Sequence, residues 1–375
     1  MLRVCHLITS LATGGAETAL FRLVTATDRE KQEQIVISLT DEGVYGPRLR
    51  EAGIPVFALG MRRGRFSLSA FVRLVRVLRQ QKPDVIQTWL YHADLLGLLA
   101  GGIAGIRTIA WNIRCSVTDE RYVRGQAGVV LRLLSLLSSI PRVVVSNSTA
   151  GQRVHTSLGY RPRQWRIIPN GLDIATFRPD PTAYREVRAE LGVPPDTLLV
   201  GLVARYDPLK DYPTFLQTAA RVTRRRPDVH FVAVGSGVSP ANEDLTKLLR
   251  HLEISDRVHL LGERRDTPRL NAAFDVAMCT STGEGFPNVL IEAMSCGVPC
   301  VSTDVGDAAV VIADTGLVAP AADPDRLAEA VLQLVEADPV RRHVRGAAAR
   351  QRVQEYYALP IMVAHYQALY ESLIG

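Results

Sequence analysis

The chain has no apolar run long enough to cross a bilayer. A span needs roughly 18 such residues. The longest candidates are LLGLLAGGIAGI (95–106) and VVLRLLSLLSSI (129–140), and Arg132 interrupts the second. Cysteine is sparse and odd in number: Cys5, Cys115, Cys279, Cys296 and Cys300. No CxxC or His/Cys spacing of a zinc site occurs among them, so all five are expected as reduced thiols of a cytosolic protein. The N-terminal MLRVCHLITSLATGGAE lacks the apolar core and cleavage site of a secretory leader, and reads as a strand entering a glycine turn. There is no GxGxxG fingerprint and no Walker loop. No zinc finger, recognisable helix-turn-helix or RNA-binding signature is present, so nucleic acid is not an expected partner despite the basic balance. Tandem repeats and low-complexity segments are also missing.

What remains is ordinary soluble composition, 375 residues with 47% hydrophobic and 22% charged. That length suits two domains with large cores. Charge is divided unevenly. Residues 1–180 hold 24 Lys and Arg against 13 Asp and Glu, whereas the remainder holds 20 against 25. The basic half includes MRRGRFSLSAFVRLVRVLRQQK (61–82). There Arg73, Arg76 and Arg79 share one side of a helix whose other side is Phe71, Leu74, Val75 and Leu78. This reads either as a solvated helix face or as a surface drawn to anionic lipid headgroups or an anionic acceptor.

Short β-branched runs alternate with helical patterns throughout. One series is RVCHLI (3–8), QIVISL (34–39), VFAL (56–59), DVIQTW (84–89), RTIAWN (107–112) and RVVVS (142–146). A second is LLVGLVA (198–204), VHFVAVG (229–235), RVHLLG (257–262), DVAMCT (275–280) and VPCVST (298–303). Such alternation predicts parallel sheets covered by helices on both faces, an α/β fold doubly wound in each half. The Pro-, Asp- and Gly-rich stretch IIPNGLDIATFRPDPTAY (167–184) divides the two series. The expected domains are 1–175 and 176–355. The helical tail 356–375 belongs to the second or packs back across the first.

Three stretches could carry chemistry. In TSLATGGAETALFRL (9–23), Gly14 and Gly15 let backbone approach a ligand, and the helix that follows offers free N–H groups to an anion. A tight turn in any α/β protein reads the same. In VGLVARYDPLKDY (200–212), Arg205 and Lys210 follow a strand end, where two cations suit a diphosphate. Loop surface charge is the alternative. Gly235, in AVGSG (233–237), adds a further glycine turn at a strand end. The third stretch is STGEGFPNVLIEAMSCGVPCVSTD (281–304). Pro287 suits a first helical residue and Gly297 a helix stop. Glu284 then precedes the helix and Glu292 lies inside it. The amides of Asn288, Val289 and Leu290 would form an anion site at the helix N-terminus. On one continuous helix the glutamates would stand about 12 Å apart and ~80° out of phase. That argues against a paired acid and base acting on one bond and for contacts to different parts of one long ligand. Hydroxyls of a sugar and a ribose are expected partners, and a helix cap with a buried salt bridge is the alternative. Asp323-Pro-Asp325 formally matches a metal-binding Asp-x-Asp but reads as a helix cap.

GGAE, SNSTAGQRVHTSLGY (146–160), IIPNGLD (167–173), VARYDPLKDY and EGFPNVLIEAMSCGVPCVSTDVG (284–306) occur in this order. The set resembles the retaining glycosyltransferases of family 4. The resemblance spans nearly the whole chain and is most specific in the second half. It implies the GT-B fold, two Rossmann-like domains facing a cleft, and metal-independent transfer of a hexose-type sugar from a nucleotide diphosphate donor. The acceptor would be a glycan or lipid-linked molecule, in polysaccharide or glycolipid synthesis. No resident cofactor is implied. Arg205 and Lys210 match the pair that holds the donor diphosphate. Glu284 matches the glutamate on the sugar hydroxyls, and the amides after Phe286 match the phosphate contacts. Glu292 matches the ribose-binding glutamate, and Gly14 and Gly15 the loop over the phosphates. Arg264, in LGERRD (261–266), resembles the lining of the nucleobase pocket. Relatives carry a histidine in the region of IAWNIRCS (109–116). Here Arg114 and Cys115 stand nearby, and His92 is the other first-domain candidate, for a catalytic or a structural role. A nucleotide-sugar 2-epimerase of the same architecture and a non-catalytic sugar-binding protein are the rival readings. A cytoplasmic protein, peripheral at an anionic inner membrane face, fits the basic first half.

Overall fold

The computed structural model describes residues 1–62, 65–114 and 125–375; Cys115 lies outside them. The chain forms two compact units. The first is Met1–Gly171 with Leu359–Gly375, and the second is Leu172–Ala358.

The first unit is built on a seven-stranded sheet, β1 (Leu2–Ile8), β2 (Gln32–Ser38), β3 (Val56–Ala58), β4 (Val85–Trp89), β5 (Ile109–Ile113), β6 (Val143–Ser146) and β7 (Trp165–Ile167). Its order is β3-β2-β1-β4-β5-β6-β7 with every pair parallel. The second unit has six strands, β8 (Leu198–Val203), β9 (Val229–Val234), β10 (Val258–Leu260), β11 (Val276–Cys279), β12 (Cys300–Thr303) and β13 (Leu317–Ala319). They run β10-β9-β8-β11-β12-β13, again parallel. The inner strands are buried along nearly their whole length because helices cover both faces, while the short edge strands β3, β7 and β13 are only partly buried. Each order reverses direction once, between β1 and β4 and between β8 and β11. Such reversal points open a crevice at the carboxyl ends of the strands, where α/β proteins bind ligands.

Around the first sheet lie α1 (Gly15–Ala26), α2 (Tyr45–Glu51), α3 (Leu68–Gln81), α4 (Tyr91–Ala104), α5 (Gly125–Leu137) and α6 (Thr149–Ser157). In α3, Ser67 caps the first turn by accepting the Ala70 amide, and Lys82 ends the helix at φ 46°. Leu74, Val75 and Leu78 are buried while Arg73, Arg76 and Arg79 are exposed, which is the amphipathic division expected of the sequence. The second sheet is wrapped by α7 (Pro181–Leu191), α8 (Tyr212–Arg225), α9 (Glu243–His251), α10 (Thr267–Ala273), α11 (Asn288–Ser295), α12 (Ala308–Ile312), α13 (Pro324–Val335) and α14 (Pro339–Tyr356). The last helix, α15 (Leu359–Ile374), belongs to the first unit. There Met362, Tyr366, Leu369 and Tyr370 join the core under α1.

No helix among the described residues is long and apolar enough to cross a membrane. Cys5, Cys279, Cys296 and Cys300 are free and buried. Burial pushes the Cys5 and Cys296 thiols up to about 12, so neither is a nucleophile at neutral pH.

Candidate functional site

In the second unit the two strands that flank the order reversal carry the charged groups. After β8 the chain passes through Ala204 and Arg205 into a single 3-10 turn, Pro208–Lys210. Asp207 caps that turn by accepting the Leu209 amide at 3.0 Å. Asp211, at φ 48°, ends it and at once caps α8, its carboxylate taking the Thr214 amide at 3.2 Å and hydroxyl at 2.6 Å. Lys210 is therefore held between two capped elements. Its carbonyl also accepts the Thr280 hydroxyl at 2.8 Å, and the Leu209 carbonyl accepts the Thr282 amide at 2.9 Å. These bonds tie the loop after β8 to the loop after β11.

Across that junction the Lys210 ammonium forms an ion pair with Glu284. Both side chains are mostly buried, at 19% and 13% accessible. The same carboxylate oxygen accepts the hydroxyl of buried Ser281 at 2.7 Å. Desolvation pulls the Lys210 pKa down, but the attraction of Glu284 outweighs it and the net value is raised. The ammonium is thus fully charged at neutral pH. The sequence leaves two kinds of partner open for Glu284, ligand hydroxyls or a buried salt bridge. The structure shows the second: a lysine and a serine of the protein satisfy it, because an unpaired carboxylate at this depth would be costly. Arg205 is different. Its side chain is 67% exposed, held at 3.2 Å by Asp207 and otherwise presented to solvent.

Two glycines that set this geometry are positional. Gly235, after β9, lies at φ 157°, and a Cβ there would stand 2.0 Å from the Ala204 carbonyl oxygen. Gly306 lies at φ 60°, and a Cβ there would stand 2.5 and 2.7 Å from the Glu284 and Gly285 carbonyl oxygens. It lets the chain after β12 press on the Glu284 loop, and the Asp307 amide bonds the Gly285 carbonyl at 3.0 Å. Sequence reasoning names Gly235 but misses Gly306 and Ser281. The DVG that follows β12 is the only local signal for the first, and nothing in the spacing marks the second.

Helix α11 begins at Asn288, and Pro287 caps it rather than starting it. Its end follows the Schellman pattern: the Gly297 amide bonds the Met294 carbonyl and the Val298 amide the Ala293 carbonyl. The Leu290 amide donates to the Pro287 carbonyl at 3.1 Å, which removes it from the expected anion-binding set. Asn288 and Val289 remain at the N-terminal edge. The Leu290 and Phe286 side chains are core, with the Phe286 ring edge-on to Tyr357 at 5.5 Å. Glu292 sits in the second turn, half-buried. Arg264, in the loop after β10, is bound bidentately by Asp266 at 2.8 and 2.7 Å and by Glu190 at 2.6 Å. The Arg264 bonds hold the Asp266 carboxyl down at about 2. Asp323 accepts the Arg326 amide at 3.0 Å as the cap of α13.

The first unit places its candidates by the same rule, on the loops after β1 and β4. Gly14 precedes α1 in extended backbone, and a Cβ there would stand 2.3 Å from the Glu17 carboxylate. Gly15 is the first residue of α1. Glu17 is itself buried and accepts the Ser10 hydroxyl at 3.3 Å. His92, in the first turn of α4, faces a cavity of about 760 Å³ that Ser10 and Glu17 also line. Desolvation by its walls lowers the His92 pKa. Arg114, just after β5, is turned away from solvent: it bonds the Asn170 side chain and lies 5.0 Å over Trp89.

Known proteins match along the chain. The family model Glycosyltransferase Family 4 matches residues 13–176, and Glycosyl transferases group 1 matches 196–337. D-inositol 3-phosphate glycosyltransferase of Kineococcus radiotolerans is 30% identical over 94% of this chain and 86% of its own length. UDP-Gal:alpha-D-GlcNAc-diphosphoundecaprenol alpha-1,3-galactosyltransferase of Escherichia coli is 25% identical over 64% and 62%. Among solved structures, Anabaena HepE in complex with UDP superposes with a TM-score of 0.87, over 99% of this chain and all of that one, at 24% identity. The chain belongs to the group 1 (family 4) glycosyltransferases and has their GT-B architecture.

Proposed function

We propose that this protein moves a hexose-type sugar from a nucleotide diphosphate donor to a glycan or lipid-linked acceptor, with retention at the anomeric carbon and without a metal. The observation that carries the reading is the placement of Lys210 and Glu284 side by side at the strand-order reversal of the second unit, with Arg205 at its open edge. The two cations suit the donor diphosphate, and the carboxylate suits sugar hydroxyls. The N-terminal edge of α11 adds amides for phosphate oxygens, and Glu292 adds a carboxylate for the ribose diol. HepE is known in complex with UDP and with UDP-glucose, which supports a uridine nucleotide donor. The Escherichia coli relative acts on a diphospho-lipid acceptor, which supports one here.

In this reading the bond between the anomeric carbon and the diphosphate oxygen breaks first. Its electron pair stays on the leaving diphosphate, which Arg205 and Lys210 stabilise as fixed charge. The acceptor hydroxyl attacks the same face and its proton passes to a leaving phosphate oxygen. Glu284 orients the sugar through its hydroxyls and forms no bond to carbon.

The test is incubation with a panel of nucleotide sugars and an acceptor extract, with release of free nucleotide diphosphate as the readout. Arg205→Ala and Glu284→Ala should each abolish most turnover. Wild-type rates in both would remove the site assignment. Product analysis without acceptor separates transfer from 2-epimerisation.

A further inference from the structure

A groove of about 920 Å³ runs along α14, with the end of α13 and the loop before β13 as its other wall. No residue of the candidate donor site lines it. Helix α14 buries one side only, through Gly346, Ala349 and Val353. Gly346 is pressed onto the chain after α11, where a Cβ would stand 1.9 Å from the Gly297 carbonyl oxygen. The opposite side is open along the whole helix. At 100° per residue, Val340, Arg341, Val344, Ala348, Gln351 and Glu355 share a face about 100° wide, and all six are exposed. Val340 and Val344 are 69% and 61% accessible. Exposed Val310 and Tyr356 lie beside them: Arg352 donates to the Val310 carbonyl at 2.7 Å and stands 5.0 Å over the Tyr356 ring. Exposed apolar side chains gathered in this way mark an interaction surface.

The charges on this helix say what covers it. Arg342 donates to the Leu334, Val335 and Ala337 carbonyls at the end of α13, and Arg352 to the Val310 and Val311 carbonyls. Both are used within the unit. Among the described residues Arg341 has no carboxylate or other acceptor within reach. It stands in the first turn of α14, where the helix dipole disfavours a cation. Glu355 stands in the last turn, where the dipole disfavours an anion. Its carboxylate accepts the Gln351 amide at 2.8 Å and meets no cation among the described residues. The open face thus carries charges of the wrong sign for its own helix. They are the right signs for an antiparallel neighbour with the same sequence, a mirrored pattern that a partner of different sequence would not require.

We infer that the exposed face of α14 is an interface to a second copy of this chain, the two helices crossing antiparallel at Ala348. A two-fold axis there pairs each residue with the one equally far beyond position 348 in the other copy. Arg341 then faces Glu355 of the second copy, Val340 faces Tyr356, and Ala348 meets itself. The small alanine lets the helices approach closely at the crossing. Each end brings a charge to an opposite charge and to the opposite end of a helix dipole. A helix of 18 residues is about 27 Å long. A strip of that length and about 10 Å wide falls below the roughly 800 Å² per partner of a stable complex. The dimer is therefore weak and forms as concentration rises.

Sedimentation equilibrium from low micromolar to submillimolar protein tests this. The expected result is a reversible monomer–dimer equilibrium that weakens with salt. Val344→Glu should weaken it at least tenfold, and Val340→Glu is the second variant on the same face. Arg341→Glu and Glu355→Arg should each weaken it at least tenfold, because each homodimer then sets like charges against one another. Mixed in equal amounts, these two variants should associate about as tightly as wild type, since every charge across the axis again meets its opposite. The melting temperature of each variant, taken at a dilution where wild type is monomeric, serves as the folding check. A monomer across the whole range overturns the inference. So does a dimer indifferent to these variants, or a mixture that associates no better than its components.

Discussion

The Lys210–Glu284 pair can be taken apart by a double-mutant cycle. Lys210→Met removes the cation but keeps the aliphatic stem, and leaves Glu284 without its counter-charge while the Ser281 hydroxyl bond persists. Removing one partner of a fully buried pair costs about 3–5 kcal/mol. With 19% and 13% of the two side chains accessible, solvent screens part of that, and about 2 kcal/mol is the expected loss. For a unit of this size that lowers the melting temperature by about 4–8 °C. Glu284→Gln strands the ammonium and should cost a similar amount. The double variant leaves a neutral amide beside a thioether of the same shape, with the serine bond kept. It should recover to within about 1 kcal/mol of wild type. Activity should not recover: each of the three variants should lose roughly 10²–10³ in kcat, the usual cost of one preorganised charge. Scanning calorimetry should follow the transition that rises when nucleoside diphosphate is added, and that rise should shrink in Lys210→Met. Because the folded Lys210 pKa lies above its ordinary 10.5, its contribution is complete below 10.5 and is lost only as pH climbs through the higher folded value. The difference between wild type and variant should therefore be flat across the neutral range. A double variant as unstable as the sum of the singles would refute the pairing, as would single variants that melt like wild type.

Ser281→Ala should lower kcat by about tenfold, the loss of one hydrogen bond to a charged group, with little change in the KM for the donor; an unchanged kcat would mean the serine does not position Glu284. Gly306→Ala forces a Cβ against the Glu284 and Gly285 carbonyls at φ 60°; roughly 2–4 kcal/mol of stability should go with it, and a wild-type melting curve would show that the loop yields freely. Asp94 is wholly buried, and burial pushes its carboxyl up to about 8 even against the Thr88 hydroxyl bond. The folded state then holds a proton that the unfolded chain releases above about 4, so the Asp94 contribution to stability should fall as pH rises from about 4 to 8. The stability of wild type minus that of Asp94→Asn should therefore decline across that range, and identical pH profiles for the two proteins would contradict it. Co-sedimentation with phosphatidylglycerol vesicles should exceed that with phosphatidylcholine and decline with salt; binding indifferent to anionic lipid would remove the membrane reading.

The two parallel sheets can be read from the sequence because both faces of each strand are buried, which leaves continuous β-branched runs such as QIVIS and VHFVAV. The strands that the pattern does not reveal are β7 and β13, each three residues long at a sheet edge. Length and edge position alone do not explain this, since β3 and β10 are equally short edge strands and are read from VFAL and RVHLLG; Trp165–Ile167 is interrupted by Arg166 and buries no residue fully, and Leu317–Ala319 buries only Ala319. The return of α15 is not decided by its apolar face, since that face would suit either core. Its tyrosines find their place in the first unit through Asn112, whose amide donates to the Tyr366 hydroxyl at 2.8 Å. That contact joins residues 254 positions apart, and no local pattern encodes it.

The same limit applies to the site. Arg205, Lys210, Glu284 and Glu292 stand out because charge beside a strand end or inside an apolar helix needs a reason. Which of them touch is a property of strand order, since β8 and β11 are neighbours in space with β9 and β10 between them in sequence. That adjacency changes the meaning of Glu284. Its burial does not wait for a ligand, because Lys210 and Ser281 meet the cost in the unliganded protein. On the proposed reading, a diphosphate arriving at Lys210 carries more negative charge than one carboxylate and would draw the ammonium from Glu284, freeing an acceptor beside the sugar that the diphosphate brings. Glu292, half-buried inside α11, would keep the place that its helix gives it, so the two glutamates would differ in kind.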